Sequence, residues 1–223
     1  MRHTALLAAA AVVLSGCAHT VSGAAQRPAR DLAGVLPADA DRILPGAAEV
    51  SGIVGTKLQL DADRSRPIDG ASAAPACSAL DTVGMAAFVG DAWSRFHVLL
   101  FTDGDRREQV VAEAVAVYPD SAAAASAFSA AGRTARDCDG QRALGIGGDA
   151  AWSFTVAGVD ADGVRWRKQQ LGIPLTWVCQ GEARLRSNAV LQAMACRGDD
   201  SGRQTVTRLT DRMSASVWEL SDR

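Results

Sequence analysis

The sequence lacks most of the features that announce an activity. Its 223 residues include one tyrosine and three histidines, and aromatic residues make up 5% of the chain. Beyond the N-terminus no stretch is long and apolar enough to cross a bilayer, which takes about 20 residues. With net charge −2 the chain offers no electrostatic footprint for nucleic acid. P-loop, dinucleotide and kinase signatures are missing. So is the G-x-S-x-G elbow of a serine hydrolase. No two cysteines stand in C-x-x-C spacing, so neither a zinc framework nor any other metal or cofactor is expected.

What the chain does have begins at Cys17. Arg2 and His3 form a basic start, Thr4 to Leu14 is an apolar run of signal-peptide length, and Leu14-Ser15-Gly16-Cys17 reads as a bacterial lipobox. Cleavage before Cys17 frees its amine and leaves its thiol for lipid. Residues 1–16 are thus expected to be a lipoprotein signal peptide, with Cys17 the lipidation site. Two or three acyl chains anchor stably where one holds only reversibly. Residues 17–40 mix Ala, Gly, Ser and Pro without periodicity and read as a flexible tether. Residues 41–223 are long enough for one domain with a buried core. The expected location is the outer face of the plasma membrane, within the cell envelope.

Four cysteines remain: Cys77, Cys138, Cys179 and Cys196. An even remainder in an exported domain reads as two disulfides, with three possible connectivities. Strand geometry favours one of them. If 176–186 and 189–197 form a hairpin around Ser187-Asn188, Arg186 faces Ala189, Leu185 faces Val190 and Cys179 faces Cys196. That last pair falls on a non-hydrogen-bonded position, where Cα atoms approach to about 4.5 Å. Cys77–Cys138 follows by elimination. The face carrying Ala183, Leu185, Val190 and Met194 is expected to be buried, with Gln192 breaking its pattern.

The remaining elements follow from periodicity and turn signals. A helix is predicted from Pro45 to Gly55, then a loop over 57–76, then a helix from Cys77 to Val89. Trp93–Phe101 and Gln109–Tyr118 form a hairpin. Asp120 or Ser121 caps an Ala-rich helix running to about Ala135. The Gly-rich stretch 139–149 reads as a connecting loop. Trp152–Val159 and Val164–Leu171 make another hairpin. Ser201 and Gln204 form a capping box for a last helix, whose buried stripe is Val206, Leu209, Met213, Val217 and Leu220. The fold class is α+β: a single domain, a largely antiparallel sheet with packed helices, and two disulfides.

Taken together these residues resemble a known family. The lipobox precedes Leu44-Pro45, Glu49-Val50 and Gly55, and a cysteine precedes Trp93. Val110–Tyr118-Pro119 then leads to an Ala-rich helix ending in Cys138. Trp152 and Val156 follow, and Trp177-x-Cys179 is matched by Cys196. The order is similar to the PknH-like extracellular sensor domain of actinobacteria, over about Asp41 to Leu220. That resemblance implies an α+β domain with two disulfides and a cleft for a small ligand. The family occurs both on receptor kinases and as free-standing lipoproteins; this chain shows no kinase signature and no spanning helix.

Catalysis finds little support. His97 sits on a predicted strand with Ser94 on the opposite face, and His19 lies in the tether. Asp160 and Asp162 read as a solvated turn rather than a weak calcium site. No catalytic residue is assigned and no enzyme is expected. For a ligand, Trp93, Arg95 and His97 share a mixed strand face, as do Trp166 and Lys168, and these are the candidate cleft residues. Trp152 and Trp177 are assigned to the core. The expected partners are the membrane, through the lipid on Cys17, and an unknown small envelope ligand. The alternative is an envelope protein-interaction module with no small ligand.

Overall fold

A computed structural model describes residues 34–148 and 150–222. Its centre is an eight-stranded antiparallel sheet in the order β1-β2-β3-β8-β7-β6-β5-β4. The strands are β1 Gln59–Arg64, β2 Arg95–Thr102, β3 Gln109–Val117, β4 Arg142–Leu144, β5 Ala151–Val159, β6 Gly163–Leu171, β7 Val178–Arg186 and β8 Ala189–Arg197. Helices α1 Ala47–Val54, α2 Ala86–Val89, α3 Ser121–Cys138 and α4 Gly202–Ser221 cover it, with 3-10 turns at Pro37–Arg42 and Pro75–Leu80.

Helices lie on both faces, which explains β8. Successive side chains alternate between faces, and β8 is buried along eight of its nine residues. Val190, Gln192 and Met194 face α3, α2 and the Pro75–Leu80 turn, while Leu191, Ala193 and Ala195 face α4 and α1. The two helical layers thus define two separate cores. Both faces of β8 must therefore be apolar or hydrogen-bonded. Gln192 meets that demand on one side of its amide: its Oε1 accepts from Gly84 N at 2.6 Å, while its buried Nε2 has no partner among the described residues.

The β7–β8 hairpin has the expected register, with Cys179 opposite Cys196 and Arg186 opposite Ala189. Disulfides join Cys179 to Cys196 and Cys77 to Cys138. Turn residue Asn188 ties the incoming chain to the sheet. Its Oδ1 accepts from Val35 N at 2.7 Å, and its Nδ2 donates to Val35 O and Tyr118 O. Val35 and Ala40 are core residues, so the folded body begins before Asp41.

Five local expectations are corrected. Within the predicted 57–76 loop, β1 is an edge strand paired to β2, with a bulge at Asp61. Its charged, exposed sequence is what an unpaired edge requires. The stretch 77–89 is not one helix. The Pro75–Leu80 turn ends, the chain bends through Gly84 at φ 74°, and α2 follows. Gly84 adopts the left-handed region that favours glycine, and a Cβ there would come within 2.9 Å of the Phe96 ring. The Gly-rich stretch contains β4, and α3 runs through Cys138. Ser201 caps nothing: its hydroxyl donates to Asp199 Oδ1. Asp120 does cap α3, accepting from Ala123 N at 2.8 Å.

Candidate functional site

The α3 face of the sheet is incompletely covered. Near the β7 start and the β8 end a cleft opens in two adjoining lobes, of ≈ 210 Å³ and ≈ 110 Å³. Thr82, Leu100 and Ala112 line both lobes, so they form one trough. The larger lobe is walled by Trp152, Trp177, Lys168 and Asp81, and the Cys179–Cys196 bridge lies in its floor. The smaller reaches the sheet edge at Ala62 and Arg64 on β1.

The polar end is built from three distant segments. Lys168 projects from β6 and is 6% exposed. Its Nζ donates to Asp81 Oδ1 at 2.9 Å and lies 4.1 Å over the Trp152 ring. Asp81, in the turn after Leu80, accepts on its other oxygen from Ile146 N at 3.0 Å. The Gly-rich loop therefore has a packing reason. A Cβ on Gly145 would come within 2.9 Å of Trp152 Nε1 and 3.3 Å of Asp81 Oδ1. Burial pulls the Lys168 pKa down, and the Asp81 carboxylate opposes that pull. An ammonium carries three donors. Among the described residues Asp81 is the one acceptor that Lys168 engages.

The candidate residues are scattered across the structure. Lys168 lines the cleft. Trp166 does not: it is 1% exposed, beneath α2, with Nε1 donating to Leu80 O at 3.0 Å. Its ring lies so close over Gly181 that a Cβ there would approach it to 2.2 Å. Trp166 and Lys168 share a face as the alternation requires, but the short helical segments cover only the first. Trp93 packs on Phe96 and lines a separate open groove with Arg66, Asp69 and Arg95. His97 points to the opposite face, between Asp63 at 2.8 Å and Asp41 at 3.0 Å, and Arg95 also holds Asp41. Trp152 and Trp177, assigned to the core, are half-buried cleft walls. Asp81 was missed altogether, because nothing local marks it. Asp160 and Asp162 pair with Arg165 and Arg186. No cluster of metal-ligating side chains occurs among the described residues.

A family model for the PknH-like extracellular domain matches residues 35–216. The chain belongs to the PknH-like extracellular domain family. The crystal structure of the extracellular domain of PknH from Mycobacterium tuberculosis superposes with a TM-score of 0.74. That match has 18% sequence identity and covers 83% of this chain and 98% of the other. The likeness establishes the shared fold: one α+β domain with an antiparallel sheet. No curated protein matches the chain. Among the described residues no helix is long and apolar enough to cross a membrane. Cys17 and the signal-like run lie outside the described residues.

Proposed function

We propose that this chain is a lipid-anchored protein of the outer plasma-membrane face, and that its PknH-like domain binds a small envelope molecule in the Trp152–Lys168–Trp177 cleft. One observation carries the reading. Lys168 is almost wholly withdrawn from water, yet one hydrogen-bond acceptor serves its three donors. Buried polar groups are normally satisfied, and a ligand oxygen in the larger lobe would supply what is missing. The lipobox at Leu14–Cys17 supports the anchor. Nothing in the cleft arranges a nucleophile beside a base, so the proposed role is recognition without turnover.

Native mass spectrometry of the protein isolated from its own envelope tests the binding. A non-protein mass bound to the wild type and absent from Thr82→Phe, which fills the rim shared by both lobes, is expected. A clean mass for both proteins contradicts the reading. For the anchor, Cys17→Ser is expected to abolish labelling by a palmitate analogue and to release the protein from membranes.

A second reading has its own observation. The β6–β7 connection exposes Leu175 at 81% and Ile173 at 40%, next to the cleft wall at Trp177. An apolar lip of this kind suits protein docking. Loss of partner capture in Leu175→Ser with ligand mass retained would favour it.

A further inference from the structure

The shape and charge of the trough narrow the class of molecule it takes, given that the cleft is a ligand site as proposed above. Two lobes joined at Thr82, Leu100 and Ala112 suit an elongated occupant. Between the ends the surface is apolar: Val83 and Val98 on one side, Val110 and Met194 on the other. A sugar needs hydrogen-bonding partners along its whole length, and between the two ends only Thr82 offers a polar side chain.

The charges lie at opposite ends and are not equivalent. Lys168 and Asp81 neutralise each other, and each Asp81 oxygen already accepts a hydrogen bond, from Lys168 and from Ile146 N. Arg64, on the exposed edge strand, lines the smaller lobe and has no ion-pair or hydrogen-bond partner among the described residues. One positive charge is therefore left over, at the rim, with a planar fork that fits an oxyanion.

We infer that the cleft takes a single-chain amphiphile, its oxyanion head held by Arg64, its apolar chain laid over Leu100 and Ala112 toward Trp152 and Trp177, and a neutral oxygen at the far end of that chain facing Lys168. The head stays near water, where charge is cheap to hold, and the chain occupies the dry floor.

The test is calorimetric titration of the full chain in phosphatidylcholine nanodiscs, with empty discs subtracted. Four probes share one chain: decanoate, decyl phosphate, decanol and decyltrimethylammonium. The anions are expected to bind about fivefold more tightly than decanol, the scale of one exposed ion pair, and the cation more weakly still. Arg64→Gln, a change on the exposed edge, is expected to bring the anions to the decanol level and leave decanol unchanged. Tighter binding of decanoate assigns a carboxylic head, and tighter binding of decyl phosphate a phosphoric one. Equal affinity for all four heads, or anion affinity untouched by Arg64→Gln, overturns the inference. A fifth titration uses a delipidated polar envelope extract. If that extract alone gives heat that Thr82→Phe abolishes, the amphiphile is wrong and the ligand site stands. If neither extract nor any probe binds, both fall.

Discussion

The two faces of the sheet are covered in different ways. On one face α4 lays a continuous stripe of Val206, Leu209, Met213 and Val217 over β7 and β8. A hollow on that side, beside Arg203 and Val206, measures ≈ 20 Å³, no more than a water's space. On the other face the cover is α3 plus short, irregular pieces, the Pro75–Leu80 turn and α2, and the trough remains open beside them. Both disulfides belong to this second face. Long periodic helices close a sheet by packing alone. A face that must keep a cavity loses that packing; there Cys77–Cys138 ties the Pro75–Leu80 turn to α3 in the cover, and Cys179–Cys196 joins two strands of the floor.

The contrast is sharpest under loss of the disulfides. Cys77→Ser with Cys138→Ser opens a loop of sequence separation 61 and is expected to cost about 4 kcal/mol. Removing Cys179–Cys196, with a separation of 17, is expected to cost about 3 kcal/mol, because the shorter loop constrains the unfolded chain less. Denaturant titrations of the two double variants measure both. Equal losses would break the ordering by loop length and show that the native environments of the two bridges differ in what each holds.

The packed face answers to cavities instead. Leu209→Ala is expected to cost about 3 kcal/mol while leaving ligand affinity unchanged. On the open face, Gly181→Ala, which would drive a methyl into the Trp166 ring, is expected to cost about 2 kcal/mol by overpacking. It is also expected to disturb the cleft through Leu80 and Asp81.

The packed face also holds Glu113, wholly buried on β3 with neither carboxyl oxygen hydrogen-bonded. Burial first, then the nearby Glu49 charge, raises its pKa to about 9, with Arg212 opposing. An acid raised in the folded state is neutral in both states below its unfolded value of 4.5. As pH climbs toward about 9, the unfolded chain sheds a proton that the native state keeps, so stability falls with rising pH. Glu113→Gln is expected to flatten that fall, seen as a thermal midpoint that gains on wild type more at alkaline than at acidic pH. The smallest expected effect separates two helix starts. Asp120→Ala is expected to cost about 1 kcal/mol, and Ser201→Ala, which removes no cap, under about 0.5 kcal/mol.

The same contrast governs what could be read from the sequence. The α4 stripe and the β7–β8 register were legible because each follows a local rule: a 3.6-residue period, and a two-residue turn that places Cys179 opposite Cys196. The open face obeys no such rule. β1 was hidden although Leu58, Leu60 and Ala62 alternate with polar residues: the run is short and charged, and it pairs with a strand roughly 35 residues on, a gap that local patterns do not encode. Asp81 gained its role from Lys168 and Ile146, both distant in sequence. Trp152 and Trp166 stand on adjacent strands of the same face, and their places are the reverse of those expected from sequence: Trp152 walls the cleft and Trp166 lies in the core. Which one lines the cleft depends on where α2 and the Pro75–Leu80 turn stop. Gln192 looked like a flaw in a buried face and is the acceptor that holds Gly84.

The most direct test of the open face as a binding cleft is a crystal structure of the protein isolated from its own envelope. The account predicts density for a non-protein molecule over Ala112, between Trp152 and Trp177, with an oxygen on Lys168 Nζ. Density at the Trp93–Arg66 groove, with both lobes of the trough holding only water, would contradict it.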